Sequence, residues 1–225
     1  MEATEPEGAE GRGLSQRTGP DEGVLESALG VITRPVVTLH RLSQERRLAW
    51  AVGLTVILSL LSALAITAQF GSAPMGFRPG PPPMPLAQLR PVLLVAAAIL
   101  GPVFGLLLLA INAALVHGTS LLLRGRGSYA GLFVGLAFAG VPSFFNIPFQ
   151  LLPLAFERAG GAISLLVSLA VGIWVLVLDV IAIRQNYGFS TGRAVAALLI
   201  PVLVVIGLLV ALIVLVFVLV VASLG

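Results

Sequence analysis

Five long stretches of apolar, almost uncharged sequence constrain the fold more than any other feature of this 225-residue chain. Crossing about 30 Å of hydrocarbon at about 1.5 Å per residue requires about 20 helical residues, and each stretch is that long. The alternating pattern of membrane β-strands is absent. The sequence therefore predicts an all-α membrane protein, a five-span transmembrane helical bundle with spans at Leu48–Phe70, Val92–Val116, Tyr129–Leu152, Ala162–Ile183 and Ala194–Leu224.

The composition excludes a soluble globular protein and several kinds of site. Apolar residues make up 58% of the chain and charged residues 10%, whereas soluble domains average about 45–50% and about 25%. The chain has no cysteine, and all 13 of its basic residues are arginine. These absences exclude thiolate metal sites, cysteine nucleophiles and the Walker phosphate loop, which requires a lysine.

Two segments differ in composition from the spans. Between residues 1 and 27, seven acidic residues stand against two arginines, and Gly, Pro and Glu are frequent. This composition predicts a disordered acidic tail over residues 1–30, followed by the membrane domain over 31–225. Phe70–Pro91 contains seven prolines, so we expect an extended, polyproline-like spacer between the first two spans.

The distribution of arginines predicts the orientation. With the N terminus in the cytoplasm, eight arginines of the membrane domain lie on the cytoplasmic side and three on the other. The positive-inside rule therefore favours a multi-pass protein of the cell membrane with its C terminus outside. Five of the cytoplasmic arginines are expected to face anionic lipid headgroups, namely Arg41, Arg46, Arg47, Arg124 and Arg126.

A short helix is expected before the first span, within Val31–Arg47. Pro35 suits a first helical turn, and Val36, Leu39 and Leu42 then recur at helical spacing. Such a basic amphipathic segment is typical of an interfacial helix that anchors the chain on anionic headgroups. The alternative is a helix that docks a protein partner on the cytoplasmic side.

Small residues recur every four positions at the start of the third span. Small residues at this spacing allow two helix backbones to approach closely. We expect a packing face inside the bundle, with contact between copies in a homo-oligomer as the alternative. The face consists of Gly127, Gly131, Gly135 and Ala139, and Gly101 and Gly105 repeat the spacing on the second span.

The third span also carries two prolines, Pro142 and Pro148, with Asn146 and Gln150 nearby. Prolines release backbone carbonyl groups, and broken helices in transporters use such groups to hold ions. Lone amides also serve simple hydrogen bonding between helices. Both interpretations of this segment stay open from the sequence.

Asp179 is the only acidic residue inside a predicted span. An ionisable group in hydrocarbon is costly, so Asp179 is a candidate functional residue. It lies near the cytoplasmic end of its span, where other polar residues of the second and fourth spans are expected. The candidate polar cluster is Asn112, His117, Asp179 and Arg184. The alternative is that Asp179 pairs with Arg184 as a simple anchor.

Catalysis is not predicted, and no residue is a candidate for cofactor or metal binding. An aspartyl protease requires two carboxylates at one site, and the spans supply one. The two histidines, His40 and His117, lack the spacing of a zinc protease. The sequence therefore predicts a protein that is not an enzyme, and we expect no nucleic-acid partner.

Several short stretches occur in an order that resembles the Yip family, membrane proteins named for their interaction with Ypt/Rab GTPases. No stretch is specific alone, but the set extends from Val31 to Leu212, about four-fifths of the chain. The stretches are Ile32–Pro35, His117, Leu123–Tyr129, Ala139–Pro142, Trp174 with Ile183 and Arg184, and Phe189–Ala194.

The resemblance implies five spans, a cytosolic N terminus and partner binding from that side, as in eukaryotic members that act in vesicle traffic. The chain lacks the Asp-Leu-Tyr-Gly-Pro motif of those members and looks more like a prokaryotic member. We therefore expect a membrane organiser or adaptor with a protein partner on the cytoplasmic side. The alternative is a small ion or solute transporter or channel that uses the polar cluster.

Overall fold

The computed structural model describes residues 23–45, 47–70 and 86–224. Most of the predicted acidic tail, the centre of the proline-rich spacer, and Arg46 lie outside these residues. Within the described part, five helices are long and apolar enough to cross a membrane, which confirms the all-α, five-span prediction. They are Leu48–Ala68, Pro91–Leu122, Tyr129–Ala155, Ala159–Tyr187 and Thr191–Ser223.

The described elements are all helical, and the third span is the one that is interrupted. In chain order they are α1 (Val24–Thr33), α2 (Pro35–Glu45), α3 (Leu48–Phe70), α4 (Leu86–Leu122), α5 (Tyr129–Ala139), the 3-10 helix η1 (Val141–Phe145), α6 (Asn146–Gln150), α7 (Leu152–Ala155), α8 (Glu157–Tyr187) and α9 (Thr191–Leu224).

The segment before the first span folds as two helices rather than one. Arg34 separates them, with φ −139° and ψ 63°, and its backbone N–H donates to the carbonyl of Gly30. Pro35 then begins α2, because its fixed φ suits the first turn of a helix. The expected domain boundary at residue 30 falls inside α1. Leu39 and Leu42 of α2 are fully buried, and α2 contacts α5 and α8. Protein therefore covers Leu39 and Leu42 of the apolar face that we expected to lie on lipid, whereas Val36 of that face is exposed.

Close contacts between α3 and α4 fix their relative heights, meaning their positions along the long axis of the bundle. A side-chain carbon added at Gly101 would meet Ala63, and one added at Gly105 would meet Ser59. The numbering rises on one helix as it falls on the other, so the two helices run antiparallel. The glycines let their backbones approach closely.

Two further contacts bring α4, α8 and α9 together at one end of the bundle. Nδ1 of His117, near the end of α4, shares a hydrogen bond with the hydroxyl of Tyr187, the last residue of α8. Thr119 donates from Oγ1 to the carbonyl of Ala197 in α9, at 2.8 Å. We call this end of the molecule, where α4 and α8 end and α9 begins, the packed end.

Helix α5 forms the core of the packed end, since every residue from Gly131 to its last is buried. A side-chain carbon at Gly131 would meet Asn186 of α8 and the carbonyl oxygen of Ser43 of α2. One at Gly135 would come within 3.1 Å of Ala182 of α8. The small residues of the third span therefore serve contacts within one chain.

The opposite half of the bundle is open. Residues 202–223 of α9 are exposed on every side. Helix α4 has 37 residues and is about 55 Å long, well beyond the roughly 30 Å of a hydrocarbon core. The open end is the end of the molecule opposite the packed end. From there, the uncharged apolar parts of α4 and α8 each extend for about 30 Å along the helix axis. They stop at Asn112 of α4, five residues before His117, and at Asp179 of α8, eight residues before Tyr187.

Candidate functional site

Aromatic side chains from four segments meet at the packed end. We call His117, Tyr129, Tyr187 and Phe189 the aromatic layer. The ring centroids of His117 and Tyr129 lie 5.9 Å apart with their planes at 78°. The rings of Tyr187 and Phe189 stack with centroids 5.4 Å apart. Edge-to-face and stacked pairs of this kind stabilise a contact beyond its buried area.

The turn between α8 and α9 places Phe189 in this layer. Gly188 has φ 67°, the left-handed conformation that glycine adopts most readily, and its N–H donates to the carbonyl of Arg184. The chain reverses there, so Phe189 stacks on Tyr187. Gly125 of the α4–α5 turn lies against both rings, where a side chain would collide with them.

A hydrogen bond joins the α4–α5 turn to the end of α8. Ser128 caps α5, because its Oγ accepts from the backbone N–H of Gly131 at 3.1 Å. Asn186 donates from Nδ2 to the carbonyl of Ser128 at 2.9 Å. Gly127 lies beside Asn186 and Tyr187. These contacts connect the two turns of the packed end to each other.

The structure does not assemble the polar cluster that the sequence suggested. His117 lies in the aromatic layer, where its partner is Tyr187. Asp179 is eight residues before Tyr187, about 12 Å along α8, and Asn112 is exposed. Within residues 23–45, 47–70 and 86–224, no hydrogen bond or ion pair joins any two of Asn112, His117, Asp179 and Arg184.

The arginines expected to face lipid differ in their surroundings. Nε of Arg47 lies 2.8 Å from the carboxylate of Glu45, and its guanidinium stands 4.2 Å from the ring centre of Trp50. Arg41 lies 3.8 Å from the same carboxylate. Part of their charge is therefore compensated by protein. The other two described arginines of that set are exposed in the α4–α5 turn, namely Arg124, with φ 61°, and Arg126.

The broken part of the third span lies in the open half. Oδ1 of Asn146 and Oε1 of Gln150 are buried, and neither has a hydrogen-bond partner among the described residues. Asn146 lines a cleft of about 450 Å³ together with Ser143 and Ser168. The described residues contain no group of three or more His, Asp or Glu side chains that could hold a metal ion.

Comparison with known proteins identifies a family for the chain. A family model described as the Yip1 domain matches residues 29–223. That range begins in α1 and includes the packed end and all five long apolar helices. No curated protein matches the chain, and no solved structure matches it.

Proposed function

The chain belongs to the Yip1-domain family, and from that membership we propose that it is a membrane organiser or adaptor whose packed end docks a protein partner. The family match supports a multi-pass membrane protein of this type. The observation that carries the docking role is the packed end itself, where α5 is enclosed by its neighbours and two turns are joined by the aromatic layer. A preorganised surface of this kind loses little conformational freedom on binding.

In this proposal the two turns of the packed end lie outside the hydrocarbon. The uncharged parts of α4 and α8 fill the hydrocarbon thickness and stop near Asn112 and Asp179. The two turns then project beyond the headgroups. The arginine bias favours the cytoplasm as the side to which they project.

The charge of the packed end indicates the chemistry of its partner. Four arginines are exposed around its two turns, and no described acidic residue lies within either turn. A positive rim of this kind attracts an acidic protein surface. The four are Arg124, Arg126, Arg184 and Arg193.

The first prediction concerns this rim. We expect the triple change Arg124→Gln, Arg126→Gln and Arg193→Gln to weaken partner binding about tenfold, since three exposed charges contribute roughly 0.2–1 kcal/mol each. A photo-crosslinking residue at Gln185 in intact cells, followed by mass spectrometry of the adducts, measures binding. The matched control neutralises Arg90 and Arg158, which lie towards the open end of α4 and α8. Equal adduct yields from the two variants would contradict the docking role.

A transporter is the second candidate, and the unpaired amides of Asn146 and Gln150 in the broken third span favour it. A transporter that uses Asp179 should lose flux in Asp179→Asn, whereas an adaptor should tolerate this change. We expect ion and solute flux in reconstituted vesicles to equal that of empty vesicles. Robust flux that disappears in Asp179→Asn would support the transporter and contradict the adaptor.

A further inference from the structure

An apolar cleft lies between α1, α3 and η1. Its volume is about 370 Å³, within the range of roughly 300–1,000 Å³ that is usual for ligand sites. All of its lining side chains are apolar, including Leu25 and Leu29 of α1, Leu54 and Ile57 of α3, and Phe145 of η1. Leu25 and Ile57 are 75% and 56% exposed, so the cleft is open at its side.

The height of this cleft follows from the contacts of α3. Ser59 lies opposite Gly105, and α3 and α4 run antiparallel. Ile57 is therefore opposite a position about five residues on the open side of Asn112, or about 7 Å along α4. The apolar cleft thus lies just on the hydrocarbon side of the level at which the uncharged part of α4 stops. With the membrane placed as in the proposed function, on which this step rests, the surroundings of the cleft are acyl chains.

A second cleft, of about 570 Å³, lies between α1 and α2. Its lining combines apolar side chains, Leu29 and Val37, with polar and charged ones that include Glu26, Thr33, Arg34 and Arg41. Leu29 lines both clefts and is 55% exposed, so it forms the ridge between them. One amphipathic molecule can therefore pass over Leu29 with its apolar part in the first cleft and its polar part in the second.

We propose that these two clefts bind one glycerophospholipid, with an acyl chain beneath α1 and the phosphate beside Arg34. An arginine guanidinium matches the geometry of a phosphate and forms two parallel hydrogen bonds with it. Arg34 is exposed between α1 and α2, and Arg41, which also contacts Glu45, adds positive charge to the same cleft. The site does not depend on the identity of any protein partner.

Two substitutions test the two halves of the site in the purified full chain. Arg34→Gln removes the cation at the phosphate, and Ile57→Trp fills the apolar cleft from an exposed position. We expect each to weaken the binding of phosphatidylglycerol about tenfold in a titration followed by native mass spectrometry. The matched controls are Arg193→Gln and Ile66→Trp, exposed residues of the same types elsewhere in the chain, and we expect both to bind like the unmodified chain.

The source of the phosphate and the position of the lipid need separate measurements. Glycerol 3-phosphate, which has the phosphate without acyl chains, should not compete with the lipid at millimolar concentration. Phosphatidylglycerol with a photoreactive acyl chain should crosslink to peptides from α1 and α3. If glycerol 3-phosphate did compete, the ligand of the site would be a free phosphate compound and not a lipid, which would overturn the proposal. Equal affinity for Arg34→Gln and Arg193→Gln, equal affinity for Ile57→Trp and Ile66→Trp, or crosslinks confined to α9 would overturn the proposal.

Discussion

Replacing Gly131 with leucine is expected to destroy the packed end. The first side-chain carbon would lie 2.7 Å from the carbonyl oxygen of Ser43 and would collide with the amide of Asn186. A backbone carbonyl cannot move aside without shifting α2, and displacing Asn186 breaks its hydrogen bond to Ser128. Overpacking alone costs about 1–3 kcal/mol, and the broken bond adds about 1 kcal/mol. Thermal unfolding of the purified protein in detergent measures the loss.

The matched control is Gly207→Leu, on the exposed part of α9. A side-chain carbon at Gly207 meets no described atom within 4 Å, so the change should stay within about 0.5 kcal/mol. Equal unfolding temperatures for the two variants would show that α5 does not pack on α2 and α8 as described.

A second large effect is expected from Leu42→Ala in α2. Leu42 is fully buried, and truncating a buried leucine to alanine costs about 2–5 kcal/mol because it leaves a cavity. If α2 only lay on the membrane surface, its truncation would not change the unfolding of the bundle. The free energy of unfolding in a denaturant titration therefore distinguishes a core helix from an anchor.

Val37→Ala is the control on the same helix. Val37 is 70% exposed, so its truncation should change the free energy of unfolding by less than about 0.5 kcal/mol. A cost for Leu42→Ala no larger than that for Val37→Ala would remove α2 from the core.

The spans could be predicted because their evidence is local. Apolar length fixes a membrane helix, and α3 occupies the same residues, Leu48–Phe70, that the sequence predicted. The C-cap at Gly188 was also predictable, since glycine after a long helix is a strong termination signal. The family resemblance agrees with the Yip1-domain match. For α2, helical spacing identified the apolar face but could not show whether lipid or protein covers it.

The site was harder to predict because it depends on the heights of helices that are distant in sequence. The sequence places polar residues near the ends of two spans but does not show whether those residues meet. In the structure, the position of α4 along the bundle axis relative to α8 brings His117 beside Tyr187. Tyr187 lies beyond the predicted end of the fourth span. One sequence signal for the aromatic layer was available, namely the two aromatic residues Tyr187 and Phe189 on either side of Gly188. A reversal of the chain at Gly188 brings their two rings together.

Single introduced cysteines test whether the packed end projects from the membrane into the cytoplasm, because the chain has no cysteine of its own. Four variants place the cysteine at different heights between the packed end and the open end: Arg126→Cys, Leu199→Cys, Val214→Cys and Ser223→Cys. A membrane-impermeant maleimide should label Ser223→Cys in intact cells. It should label Arg126→Cys and Leu199→Cys only after permeabilisation, and Val214→Cys under neither condition. Labelling of Arg126→Cys in intact cells, or protection of Leu199→Cys after permeabilisation, would contradict a cytoplasmic position of the packed end.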